Sequence, residues 1–280
     1  MSSAASNPHM MPASGQARGS APARRHCGLL ALLLALLVAC SEERSSPSIL
    51  VAAAASLRDV ATELASEYER QYGTRIDFNF AGSNVLAHQI AAAAQVDVFL
   101  SADPRWIDFL AEEGKIVPSS RRPILRNKLV VVARRDCELP ITRADDLASC
   151  GYKHLIVADP AAVPAGRYAK SWLSSQRYNE ATLWQAVAAR ITPALDVRAA
   201  LALIESDNDM VGIVYLSDHV SSQRTRILIE PTTDQQPEIE YGAALIAVDS
   251  PSPDASRFVE FLTGPKSRST ITRHGFGVPE

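Results

Sequence analysis

Along this chain, short apolar runs give way repeatedly, through a few small residues, to stretches in which apolar side chains return every third or fourth position. Runs of the first kind read as buried or half-buried strands, and stretches of the second kind as amphipathic helices. Ile49 to Ala53 passes through Ala54-Ala55 to Ser56, after which Leu57, Val60, Ala61, Leu64 and Tyr68 keep helical spacing up to Tyr72, and Gly73 closes the helix. Ile76 to Phe80 alternates apolar and polar residues, and Ala81-Gly82-Ser83-Asn84 turns into a helix carrying Leu86 and Ile90. Asp97 to Leu100 is a third strand; Asp103 stands as N-cap and Pro104 as first residue of a helix whose apolar face is Trp106, Phe109 and Leu110.

After the basic connector Arg121-Arg122-Pro123 the same grammar resumes with a strand at Lys128 to Ala133, a helix from about Thr142, and a strand at Leu155 to Ala158. A Pro-punctuated loop then leads into Ala165-Gly166 and a helix bearing Tyr168, Trp172 and Leu173, followed by a helix with Leu183 and Val187. Pro193 to Asp196 opens a helix carrying Val197, Ala200, Leu201 and Ile204. Val211 to Val214 is a buried strand ending in Tyr215, Ile227 to Ile229 is a further strand, and the apolar stretch Ile239 to Val248 is long enough to cross back to the first series. Helices at Asp254 to Leu262 and Ser267 to His274 end the chain. The pattern predicts an α/β protein of two lobes, each a mixed, mostly parallel sheet flanked by helices. Sheets of this kind bind ligands beyond the carboxyl ends of their strands.

The first 48 residues break the pattern. Arg24, Arg25 and His26 precede the apolar run Gly28 to Ala39, which is too short to span a bilayer and reads as an export signal. Its end, Leu37-Val38-Ala39-Cys40, resembles the lipobox of bacterial lipoproteins, in which cleavage before the cysteine exposes a thiol for lipidation; Cys40 as a chance thiol behind an ordinary cleavage site is the alternative. The expected organisation is a signal peptide with lipobox over 1–39, a polar tether over 40–48, a first lobe from 49–127 and 243–280, and a second lobe from 128–242.

Removing residues 1–39 takes three arginines and no acid, leaving 25 basic against 31 acidic residues and a charge of −6. That excludes a nucleic-acid surface. Export also places Cys137 and Cys150 in an oxidising compartment, so a disulfide between them is expected, with two free buried thiols as the alternative.

Candidate chemistry is sparse in catalytic terms. The six histidines show no ligand spacing, and there is no H-E-x-x-H, G-x-S-x-G or P-loop. Ser56 and Ser83 sit at strand ends, where each reads either as a helix cap or as a ligand group; an anchored hydrolase would use one of them as nucleophile. Ala165 and Val197 offer backbone N–H groups in first helical turns, and Tyr215 a hydroxyl at a strand's carboxyl end. All five are neutral donors, a set suited to a fully deprotonated oxyanion such as sulfate, molybdate or tungstate and poorly suited to hydrogen phosphate. Asp59 and Asp196 are expected to cap their own helices.

Several of these segments together resemble a known family. Ala-Ala-Ala-Ser-Leu ending at Leu57, Asp-Val-Phe-Leu-Ser-Ala-Asp from Asp97, Asp-Pro-Ala-Ala-Val-Pro-Ala-Gly from Asp159, Asp-Val-Arg-Ala-Ala-Leu-Ala-Leu from Asp196 and Gly-Ile-Val-Tyr from Gly212 are similar to the periplasmic molybdate-binding proteins of ABC importers, from about Ile49 to Phe276. The resemblance implies a type II periplasmic-binding-protein fold with two crossover strands, and no catalysis or cofactor. It also implies an oxyanion, molybdate or tungstate, buried between the lobes and delivered to an ABC permease in the inner membrane. Carried over by motif, Ser56 and Ser83 belong to the first lobe's half of the site and Ala165, Val197 and Tyr215 to the second's. With the lipobox, a monomer anchored by lipid to a membrane and facing the periplasm is expected.

Overall fold

The computed structural model describes residues 48–248 and 252–279. The export signal, Cys40 and the tether up to residue 47 lie outside them. In chain order the elements begin with β1 (Ser48–Ala54), a 3-10 turn (Ala55–Leu57), α1 (Arg58–Tyr72), β2 (Arg75–Ala81), α2 (Ser83–Ala91), β3 (Val98–Ser101), α3 (Pro104–Glu112) and β4 (Arg122–Asn127). Next come β5 (Leu129–Arg134), α4 (Asp146–Ser149), β6 (His154–Ala158), α5 (Pro164–Ser175), the hairpin β7 (Arg177–Tyr178) and β8 (Ala181–Thr182), α6 (Leu183–Val187), β9 (Ile191–Ala194), α7 (Val197–Ser206), β10 (Met210–Tyr215), α8 (Leu216–Val220) and β11 (Thr225–Ile229). β12 (Ile239–Leu245), α9 (Pro253–Thr263) and α10 (Arg268–Arg273) complete the chain.

Two five-stranded mixed sheets result, in the orders β2-β1-β3-β12-β4 and β11-β5-β10-β6-β9. In the first, β1 runs parallel to β2 and β3, while β12 is antiparallel to β3 and β4; in the second, β6 runs parallel to β9 and β10, and β5 is antiparallel to β10 and β11. Helices cover the faces of both sheets. The central strands Val130 to Ala133 and Leu155 to Ala158 are buried throughout, which explains their continuous apolar runs.

The chain passes from the first sheet to the second between Asn127 and Leu129, and returns just before Ile239. The return therefore falls ahead of the expected boundary at 243: all of β12 pairs within the first sheet, and Ile239 lies opposite Asn127, so the two crossings are register neighbours. Gln236 ties them to the second sheet, because its side chain accepts from Leu129 N at 2.9 Å and donates to Leu129 O at 2.9 Å, as a strand residue would.

Three other expectations need correction. The helix expected from about Thr142 is only the single turn Asp146–Ser149, because Asp146 Oδ2 accepts from the N–H groups of Thr142 and Arg143 and folds that segment into a turn. The connector after Arg121 is itself strand β4. Cys137 and Cys150 are not bonded: Cys137 is buried, while the half-buried Cys150 thiol faces the carbonyl of Pro140 at 3.7 Å. Trp106 packs as expected in an aromatic cluster with His88 and Phe109.

Candidate functional site

Six turns converge on one small cavity, and each follows the carboxyl end of a strand. β1 brings Ser56, β2 brings Gly82 and Ser83, and β3 brings Ala102; from the second lobe β6 leads to Pro164 and Ala165, β9 to Asp196 and Val197, and β10 to Tyr215. Ser56, Ser83, Ala165, Val197 and Tyr215, the five residues singled out from the sequence, thus line the same space and are all buried. Larger grooves, such as the one beside Arg105, Arg167 and Lys170, lie outside the cavity.

Local sequence explains how each donor is presented. In α5, Pro164 occupies the first helical position, where a missing N–H costs nothing, and the first intrahelical bond is Arg167 N to Val163 O at 3.0 Å. The N–H of Ala165, which lines the cavity, is left over. Gly166 makes this packing possible, since a Cβ there would sit 2.0 Å from the carbonyl oxygen of Ala158. In α7, Asp196 Oδ1 accepts from Arg198 N and Ala199 N at 2.9 Å each, and Asp196 O accepts from Ala200 N at 3.0 Å. That cap leaves the N–H of Val197 over, as expected. Asp59 departs from expectation: it does not cap α1 but pairs with Arg198 of the other lobe.

The three hydroxyls are equally specific. Ser56 is not a helix cap; its Oγ lies 2.9 Å from the hydroxyl of Tyr241. Ser83 Oγ accepts from Ala102 N at 3.0 Å, so its own proton is left over. The Tyr215 hydroxyl is buried with no hydrogen-bond partner among the described residues, and burial holds its pKa well above the usual phenol value, so it stays a neutral donor.

Among the described residues no lysine or arginine lines the cavity. The one charged residue that does, Asp196, is occupied by its cap. Two arginines follow the backbone donors closely and turn away: Arg167 Nη1 lies 2.5 Å from Asp103 Oδ2, and Arg198 pairs with Asp59. Both are cross-lobe ion pairs, and sequence reasoning missed them. A signal existed, because a cation in a helix's first turn opposes the helix dipole and so asks for a reason. Among the described residues neither cavity serine hydrogen-bonds a histidine or a carboxylate, the base a nucleophile would require. The arrangement can surround a small anion with neutral donors from two lobes.

The chain is similar to known proteins over most of its described length. A family model described as bacterial extracellular solute-binding protein matches residues 49–277. The molybdate-binding protein ModA of Escherichia coli (strain K12) is 34% identical over 236 residues, covering 82% of this chain and 89% of that protein. The putative ABC transporter substrate-binding lipoprotein YvgL of Bacillus subtilis (strain 168) is 28% identical over 256 residues, covering 89% of this chain and 96% of that one. Among solved structures, the periplasmic molybdate-binding protein of Azotobacter vinelandii superimposes with a TM-score of 0.72 at 22% identity, covering 83% of this chain and all of the other, which shows a shared type II periplasmic-binding-protein fold. With nearly the whole described chain matched by the family model, the protein belongs to the bacterial extracellular solute-binding proteins, a non-catalytic class of transport components.

Proposed function

We propose that this protein captures molybdate, and tungstate by the same chemistry, outside the cytoplasm and delivers it to an ABC permease. The observation that carries the reading is the convergence of Ser56, Ser83, Ala165, Val197 and Tyr215 on one buried cavity without a cation among its lining residues. Helix N-termini stabilise an anion by about 0.3–1 kcal/mol each when exposed and up to about 2 kcal/mol when partly buried, so several directed at one point replace a counter-ion. A ring of donors favours an oxyanion without protons. The name of the E. coli relative adds the identity of the anion, and that of the B. subtilis relative adds the transporter class and a lipoprotein. Anchoring through a lipidated Cys40 completes the proposal, with the protein acting as a monomer at a membrane surface.

Isothermal titration with molybdate, tungstate, sulfate and hydrogen phosphate tests it. Saturable one-to-one binding of molybdate and tungstate, with sulfate weaker because its shorter bonds underfill the cavity, is the expected result. Tight binding of sulfate or phosphate with no molybdate heat would overturn it. Mass analysis of the mature N-terminus tests the anchor.

A further inference from the structure

A buried hydrogen-bonded chain runs from the lobe crossing to the cavity, and its direction follows from which atoms can only donate. Asn127, the last residue of β4, accepts at Oδ1 from the backbone N–H of Lys128 at 2.9 Å. A backbone N–H has no lone pair, so this contact fixes the carboxamide orientation and turns Nδ2 toward Ser217 Oγ at 2.9 Å and Tyr241 Oη at 3.2 Å. Nδ2 in turn only donates. The Tyr241 oxygen must accept from it, and the Tyr241 proton, with Ser56 Oγ 2.9 Å away, goes to Ser56. Ser56 then accepts from behind, and its own proton has no other acceptor among the described residues. It faces the cavity.

Reversal of this chain would leave the Tyr241 proton aimed at an amide nitrogen in a buried place, the costly case of an unmade hydrogen bond. Tyr241 is also held in place, edge-on to Tyr215 at 5.9 Å and to Phe276 at 5.6 Å between ring centroids. Burial and the neighbouring carboxylate of Asp218 push its pKa up, so it carries its proton throughout.

We propose that Asn127 and Tyr241 are positioning residues that fix the Ser56 hydroxyl as a donor, and so give the site its discrimination against oxyanions that still carry a proton. The inference rests on the oxyanion reading above and deepens it. Discrimination here comes from a residue at the lobe crossing that touches no ligand, through two intervening hydroxyls.

The test is Asn127→Asp. A carboxylate in that position keeps the acceptor for Lys128 N, and both Ser217 and Tyr241 can donate to it, so its oxygens are satisfied. The chain then runs the other way: Tyr241 donates to the carboxylate, Ser56 donates to Tyr241, and Ser56 presents only lone pairs to the cavity. The ratio of hydrogen-phosphate to molybdate dissociation constants, measured by titration calorimetry at pH 7, should fall at least about tenfold from its wild-type value, the worth of one hydrogen bond lost by one anion and gained by the other. Because the added charge acts on both anions, the double variant Asn127→Asp/Tyr241→Phe, which keeps the charge and cuts the chain, should recover most of the ratio. A folded Asn127→Asp protein with the wild-type ratio, or a double variant with no recovery, overturns the inference.

If Asn127→Asp does not fold, Tyr241→Phe decides. It should weaken molybdate binding roughly fivefold in the wild type and leave it unchanged in a Ser56→Ala background, because its effect passes through that hydroxyl. Equal cost in both backgrounds would mark Tyr241 as packing only and overturn the inference. Absence of molybdate binding in the wild type overturns the site reading and this inference together, whereas binding with unaltered discrimination overturns this inference alone.

Discussion

Asp59 on the first lobe and Arg198 on the second form an ion pair across the cleft, one residue beyond the N–H of Val197 that faces the cavity. Arg198 is held from its own side as well: its Nη1 donates to Ser221 Oγ at 2.8 Å, and its Nε lies 3.0 Å from the buried Asp218 carboxylate, in ionic contact but out of line for a hydrogen bond. When the lobes part, Arg198 keeps its own lobe's partners and Asp59 loses its cross-lobe one. Asp59→Asn should therefore speed molybdate dissociation, measured by stopped-flow fluorescence, while leaving the melting temperature of the free protein nearly unchanged. The Asp59 side chain is 42% exposed, which limits the effect to about fivefold, or ~1 kcal/mol. An unchanged dissociation rate would show the pair to be idle.

Asp218 makes stability depend on pH. Burial raises its carboxyl pKa to about 7, opposed by Arg198 and by the backbone N–H of Tyr215, with Asp59 and Asp196 adding to the rise. An aspartate in the unfolded chain titrates near ~3.9. Between those values the folded protein holds the extra proton, so this group's contribution is complete below the lower pKa, declines as pH climbs through the window and is gone above the upper. Differential scanning calorimetry should show the wild type gaining stability as pH falls from 7.5 toward 5, by no more than about 1.4 kcal/mol per pH unit from this group. Asp218→Asn should flatten that slope, and a slope that survives the substitution would assign it to other groups.

Tyr215 carries a buried hydroxyl with no partner among the described residues, a group that costs stability until a ligand accepts from it. Tyr215→Phe should stabilise the free protein by about 1 kcal/mol at its melting midpoint, raising its melting temperature, while weakening oxyanion binding about tenfold. Ser83→Ala should do the opposite to stability, since Ala102 N loses its acceptor in a buried place, at a cost of about 1–3 kcal/mol. If both substitutions move stability in the same direction, the hydroxyl assignments are wrong.

Gly166→Ala places a methyl group 2.0 Å from the carbonyl oxygen of Ala158, which is backbone and cannot turn aside. The start of α5 has to shift away from β6, taking the Ala165 N–H with it. Loss of more than about 3 kcal/mol of stability, or a folded protein with molybdate affinity reduced at least about tenfold, is expected from calorimetry. A variant with wild-type melting and binding would show that the helix start is free to move.

Strand ends and helix starts were legible because each is local. Asp103 and Pro104, or Asp196 and Val197, declare a helix start within a few residues, and Ser56, Ser83 and Tyr215 could be ranked by standing at strand ends. What spacing could not reveal depends on distant register. Tyr241 reads as one apolar residue in a crossing strand, and Asn127 as a polar residue before Lys128; only the place of β12 between β3 and β4 sets the Tyr241 hydroxyl against both Asn127 and Ser56. The disulfide failed for the same reason, since compartment and cysteine count say nothing of where two side chains point. The lobe boundary at 243 was misplaced because an apolar stretch looks alike before and after it changes sheets.

The two chain crossings occupy neighbouring register positions, Asn127 opposite Ile239, so the halves of the site are tethered twice at nearly the same place. Their meeting is an intramolecular event, with an effective concentration set by the hinge and not by diffusion. The first lobe brings two hydroxyls and the second brings two backbone N–H groups and one hydroxyl, so neither half holds the full set of donors. Joined at adjacent strands, they need only swing through an angle, and the entropy of assembling the full shell is already spent when the chain folds.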